Sequence, residues 1–352
     1  MDKAEKLLLG IDLTTSRGAE IGALDKPTIP PSTPGVCYFD YLSYEELRAK
    51  YPDDPNVTID NIVKVTHVWK GEPLADVVGP DLRFDYIVAS HVVEHAPDLV
   101  GWLLDLASVL KPRGQIRLAV PDMRYCFDML REPSQVADVL VAHIAKAKAP
   151  QPRSVLDFAL HVTEVDCASI WKGAVDRSKL PRLITSSHAL DLGRSAMFDG
   201  AYHDVHCWTF TPLSFARLMK DLVTYGVLPL KCAGYFDTAH YHLEFFVSLE
   251  PCDDASEVVE SWAAMERDLL QMALPPVEPR KEVEVVVATQ PDDDEAVRLR
   301  KALDSAARQH AETRRQLDEA HTRVSALLDS TSWRITAPLR SLKTALNGLR
   351  RS

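Results

Sequence analysis

The stretch FDYIVASHVVEHAPDLVGWLLDLASVLKPRGQIRLAVPD, residues 84–122, decides how this chain is read. Phe84–Ala89 is a short apolar run of the buried-strand type, and Ile116–Val120 is a second one. Between them Leu99, Leu103, Leu106 and Leu110 recur at helical spacing, which predicts a helix over 99–110 stopped by Lys111-Pro112-Arg113-Gly114. A strand-helix-strand unit of this kind makes parallel neighbours, and open parallel sheets bind ligands beyond the carboxyl ends of their strands. Ser90, His91, Glu94 and His95 follow one such end, and Pro121-Asp122 follow the other.

Working outward, Ala19–Ala23 and Val36–Asp40 read as the first two strands, Tyr44–Lys50 as a helix and Val63–Val68 as a third strand. Thr211-Pro212 opens a helix through Tyr225, and Val227–Phe236 and Tyr241–Leu249 read as a closing antiparallel pair. Strands separated by helical patterns predict an α/β fold. The segment 123–205 is too long for a structureless loop in a compact domain. With helical patterns over Val136–Lys148 and Val155–Val165, it is expected to be a helical insertion after strand five, capping the substrate side of the sheet.

The pattern DxIxASHVxEHxPD…LxxxLKPxGxxxLxVPD resembles class I S-adenosylmethionine-dependent methyltransferases, over roughly residues 18–250. It is most similar to a type 11-like bacterial subgroup associated with surface-polysaccharide synthesis. The resemblance implies a Rossmann-like, seven-stranded methyltransferase sheet and S-adenosylmethionine as cofactor. It also implies that Glu20-Ile21-Gly22-Ala23 forms the turn beneath the methionine end of the cofactor. Glycine suits that turn because a side chain would collide with the ligand or forbid the backbone conformation. The family's further glycines are replaced here by Leu24-Asp25-Lys26. Asp40, eighteen positions after Gly22, is expected to bridge two ribose hydroxyls; capping of the Tyr44 helix is its competing role. Ser90 and His91 are expected to face the sulfonium. Thr66-His67-Val68-Trp69 lacks the acid often found near the adenine, and Glu94 and His95 are assigned to capping the helix that starts near Asp98.

On the acceptor side, Gly200–Pro212 (GAYHDVHCWTFTP) resembles the subgroup's segment leading into the helix before strand six. His206 or His203 is expected to act as base toward an acceptor hydroxyl, with Asp204 orienting one of them. Asp122, Arg124 and, from the insertion, His161 are substrate-side candidates; Arg124 could equally pair with Asp122 as scaffold. No metal is expected, because HxxHC lacks the paired-ligand spacing of structural zinc sites.

The net charge is −11, and the last 22 residues carry five basic residues and no acid, leaving −16 on the rest. So acidic a body argues against nucleic acid as a partner. Six cysteines without a CxxC pair, and no signal core, predict a cytoplasmic protein with reduced thiols. Domain boundaries are expected at 1–250 for the methyltransferase domain, then an amphipathic helix over 251–274 and an acidic linker over 275–296. A heptad pattern over 297–330 follows, with Leu303, His310, Leu317 and Val324 in one seam, predicting a helical or coiled-coil extension and a homodimer through it. The basic amphipathic tail, 331–352, opens with Ser332-Trp333-Arg334, which resembles an element near the ends of bacterial glycosyltransferases. It suits the inner face of the plasma membrane or a glycosyltransferase complex. The expected function is methyl transfer to a sugar of a bacterial surface glycan or its precursor. The alternatives are a catalytically silent adaptor of a glycan assembly complex, and a methyltransferase acting on a protein or small metabolite.

Overall fold

The computed structural model describes residues 1–273. The linker, heptad and tail assignments, 275–352, lie outside the described residues. The account below concerns the compact unit Met1–Pro275. No helix among the described residues is long and apolar enough to cross a membrane.

Seven strands form one sheet: β1 (Gly18–Ile21), β2 (Cys37–Asp40), β3 (His67–Val68), β4 (Phe84–Ser90), β5 (Leu110–Pro121), β6 (Leu230–Phe236) and β7 (Glu244–Pro251). Their order is β3-β2-β1-β4-β5-β7-β6, and only β7 runs antiparallel to its neighbours. The chain leaves β1 toward β2 on one side and takes up β4 on the other, so the carboxyl ends of β1 and β4 form the topological switch point, where an α/β sheet opens a crevice. This is the α/β, Rossmann-like architecture expected from the sequence.

Two strands differ from expectation for visible reasons. β5 begins at Leu110, because Lys111-Pro112-Arg113-Gly114 is a bulge within the strand rather than a turn before it. The register passes from Phe84 opposite Leu110 to Tyr86 opposite Gln115. Gly114 is required there, since a Cβ would stand 2.9 Å from the carbonyls of Lys111 and Phe84. β3 shrinks to two residues because the hydroxyl of Thr66 takes over the partnership with β2, accepting from Tyr38 N at 2.9 Å.

Helix α1 (Lys3–Leu7) packs on the sheet, and α2 (Tyr44–Lys50) starts at a Ser43–Glu46 capping box. After α3 (Leu74–Val78), α4 (Leu99–Ser108) buries Leu99, Leu103 and Leu106, the face its spacing predicts. Segment 123–205 contains α5 (Val136–Ile144), α6 (Pro152–His161), α7 (Cys167–Trp171) and α8 (Ser186–Arg194). Then α9 (Pro212–Thr224), with Thr211 as its cap, buries Phe215, Leu218, Met219 and Leu222. Finally α10 (Ala255–Ala273) lays Val258, Trp262, Met265 and Leu269 into the same core. The Trp262 indole donates to the Leu230 carbonyl at 2.8 Å, satisfying the one polar atom that this large side chain buries.

Candidate active site

A crevice of about 590 Å³ opens at the carboxyl ends of β1, β2 and β4, within the range of small-molecule sites. Gly22 forms its floor after β1. Its φ is +68°, a conformation that selects glycine, and a Cβ there would come within 3.0 Å of Val92 Cγ2. Leu24 takes φ +46° where a further glycine was missing, a conformation that costs a leucine about 1 kcal/mol. Asp40 closes β2 with its carboxylate on the crevice wall. Burial pushes its carboxyl pKa up against the backbone N–H groups of Leu42, at 3.3 Å, and Tyr41, which leave further lone pairs for hydroxyls. The capping role belongs to Ser43 instead.

His91 lines the same crevice. It stands at φ +55°, and its Nε2 lies 2.5 Å from Glu244 of β7. Burial would raise the Glu244 carboxyl, but the His91 hydrogen bond and the Lys3 ammonium outweigh it and hold it at about 2.

Three residues placed at the cofactor by sequence do not line the crevice. Glu20 is 1% exposed and turns its carboxylate to the loop beyond β1, accepting from Thr28 N and Ile29 N at 2.8 Å each. Ala23 packs with Tyr38 and Val63. Ser90 ends β4 beside Ala119, outside the lining.

At the other end of the crevice stand His95 and Asp204, 3.0 Å apart. Burial works against a proton on His95, but the neighbouring Asp204 carboxylate and the Glu94 charge outweigh it and raise the imidazole pKa. His95 is therefore a crevice residue and not the helix cap expected from sequence; Asp98 is the cap, accepting from Gly101 N at 2.8 Å.

His206 lies behind this pair. It is 7% exposed, its Nδ1 is 2.5 Å from Asp128, and its ring meets that of His95 edge to face at 4.7 Å. Arg131 backs it, bridging Asp128, Asp157 and the His206 carbonyl. It does not line the crevice. His203 bonds to Ser195 at 2.7 Å, and His161 to Asp157 within α6, both away from the lining. Asp122 is fully buried and spends its carboxylate on Arg124 and Thr238. That pairing is the scaffold alternative the sequence left open. Of His161, His203, Asp204, His206, Asp122 and Arg124, Asp204 is thus the one that reaches the crevice.

Sequence reading missed the aromatic walls, Tyr41, Tyr51, Trp69, Trp102 and Tyr202. Trp69 was visible as the residue after β3. Nothing local marks Trp102 or Tyr202, which the helix after β4 and the end of the insertion bring in.

Residues 27–222 match the family model described as "Methyltransferase domain". The chain belongs to this methyltransferase family. The match spans the sheet from the loop after β1 through α9, leaving the Gly22 turn and the β6–β7 pair outside it. Among solved structures, the mitomycin 7-O-methyltransferase MmcR is 12% identical, with a TM-score of 0.33 over 71% of this chain and 53% of that one. The CurJ carbon methyltransferase is 11% identical, with a TM-score of 0.32 over 68% and 49%. A Rhodobacter sphaeroides protein assigned as a Zn-dependent alcohol dehydrogenase is 15% identical, with a TM-score of 0.36 over 71% and 88%. The chain thus spans about half the length of the two methyltransferases it resembles. No curated protein matches it.

Proposed function

We propose that the chain is an S-adenosylmethionine-dependent methyltransferase whose acceptor is a hydroxyl, on a sugar of a bacterial surface glycan or its precursor. The observation that carries the cofactor reading is the crevice itself. A glycine of left-handed φ close against Val92, a carboxylate at the end of β2 with lone pairs to spare and a tryptophan after β3 together suit a nucleoside with a compact charged tail. Asp40 would bind the ribose hydroxyls, Trp69 would stack on the base, and Gly22 would admit the methionine end to the backbone.

Bound there, S-adenosylmethionine supplies a methyl group on a sulfonium, open to in-line displacement by an oxygen. Alignment and exclusion of water contribute most of the acceleration in such a displacement. Tyr202, Asp204 and His95 border the acceptor end, and the His95–Asp204 pair is placed to orient the hydroxyl and receive its proton. His206, expected from sequence as the base, would act from behind this pair. The sugar assignment is supported by the resemblance of residues 84–122 and 200–212 and by the Ser332-Trp333-Arg334 element.

Calorimetric titration with S-adenosylmethionine tests the cofactor. Binding near one equivalent supports an enzyme, and a folded protein that binds none favours the silent adaptor. Labelled cofactor, incubated with glycan precursors and separately with cell protein, tests the acceptor. Label confined to protein would overturn the sugar.

A further inference from the structure

Glu94 is 1% exposed, and neither of its carboxylate oxygens has a hydrogen-bond partner among the described residues. A buried carboxylate with no donor carries a large desolvation penalty, and native structures keep such groups only beside a compensating charge. Here the surroundings are imidazoles: His206 Nε2 stands 3.9 Å and His91 Nδ1 3.8 Å from Glu94 Oε1. Those distances are too long for hydrogen bonds. His91 is engaged by Glu244, but the His206 separation suits co-ligands of one ion, since two donors about 2.1 Å from a metal lie roughly 3–4 Å apart. Glu94, His95 and His206 each offer one ligand atom, all within 4.8 Å of one another.

We propose that Glu94, His95 and His206 bind a first-row divalent transition-metal ion at the acceptor end of the crevice. Two nitrogen donors and one carboxylate suit manganese, iron, cobalt or zinc ions; magnesium and calcium prefer all-oxygen shells. The arrangement is held from outside. Asp128 engages His206 Nδ1 at 2.5 Å, which turns the Nε2 lone pair toward Glu94, the carboxylate–histidine–metal relation. The two segments are locked together although 112 positions apart. Cys207 N donates to the Glu94 carbonyl at 2.7 Å, and the Trp208 indole donates to the Ala96 carbonyl at 2.6 Å.

His95 belongs both to this cluster and to the crevice lining, which sets the cluster beside the acceptor end of the crevice. The ion's catalytic role rests on the methyltransferase reading: with His95 committed to the ion, a hydroxyl that coordinates the ion would lose its proton more readily, to the Asp204 carboxylate beside it. Binding of the ion does not rest on it.

The test uses full-length protein freed of metal by chelator and dialysis. It is titrated with Mn²⁺, followed by loss of the free-ion electron paramagnetic resonance signal, and with Zn²⁺ by calorimetry. One ion per chain is expected, with a rise in melting temperature as binding stabilises the folded state. Glu94→Gln and His206→Gln should each weaken binding at least about tenfold, and Asp128→Asn roughly 10–100-fold through the orientation of His206. The expected result requires at least one of these variants to be folded by circular dichroism and impaired in uptake. No uptake by the wild-type chain below about 1 mM ion, a dissociation constant worth only about 4 kcal/mol, would leave a cluster of histidines around a buried charge and overturn the proposal. So would folded variants that bind as tightly as wild type. Titration with S-adenosylmethionine on the same samples separates the two readings, because loss of cofactor binding with intact ion uptake would sink only the methyltransferase.

Discussion

Two loops leave neighbouring strands of the same sheet, each beside a glutamate only 1% exposed, and they treat that glutamate in opposite ways. Glu20, at the end of β1, accepts two backbone N–H groups and fastens residues 28 and 29 over the strand. Glu94, after β4, accepts none from the described residues. One carboxylate serves as a structural clamp; the other is kept desolvated at a cost to the fold. A group retained at such a cost marks a functional position more sharply than a group fully used by its neighbours. The lesson is that burial of a charge says little until its partners are counted.

The largest expected effects lie on the clamp side of that comparison. Glu20→Ala strands two buried donors and should destabilise the chain by roughly 3 kcal/mol, read by urea unfolding. A loss below 0.5 kcal/mol, roughly one ordinary surface substitution, would erase the contrast with Glu94. Asp40→Ala removes the charged acceptor proposed for the ribose and should weaken cofactor binding by about 30–100-fold with little change in stability, checked by calorimetry. Unchanged affinity would break the cofactor reading.

A third buried carboxylate sharpens the contrast through pH. Glu244 is held at about 2, below its ordinary 4.5, so its contribution is complete above about 4.5 and is lost as pH falls toward 2. The shift corresponds to a contribution on the order of 3 kcal/mol at neutral pH. Glu244→Gln should therefore reduce stability at pH 7 and converge on wild type in acid; a difference that stays constant with pH would show that charge is not its basis. Gly22→Ala meets both a left-handed φ and Val92, and should cost about 1–2 kcal/mol together with part of the cofactor affinity. The smallest effect is expected at Glu94 itself. Without metal, Glu94→Gln removes an unpaired buried charge and should leave stability unchanged or raise it by up to about 1 kcal/mol, measured by thermal unfolding.

Much of the fold was legible because its signals are local. β4 and α4 follow from the apolar run at 84–89 and the leucines at 99, 103 and 106, and Thr211-Pro212 marks the start of α9. Gly22 and Asp40 were legible as crevice residues because each terminates a strand whose burial pattern is readable. The acceptor side was not. His206 carries the same sequence signature as an exposed histidine, and its burial behind Phe127 and Phe158 depends on α6, fifty residues upstream. His95 looked like part of a helix cap because Asp98 stands three residues on. The end of the insertion then delivers Asp204 to its ring.

By itself the sequence determined the strand and helix pattern, the parallel character of the sheet and the two strand-end residues Gly22 and Asp40, since each depends on periodicity or on a backbone demand within a few residues. Only the tertiary structure decided that Glu20 is a clamp, that Glu94 has no donor, and that His95, Asp204 and His206 converge. Those outcomes hinge on which distant side chains arrive to satisfy a buried charge, and a linear pattern carries no record of that meeting.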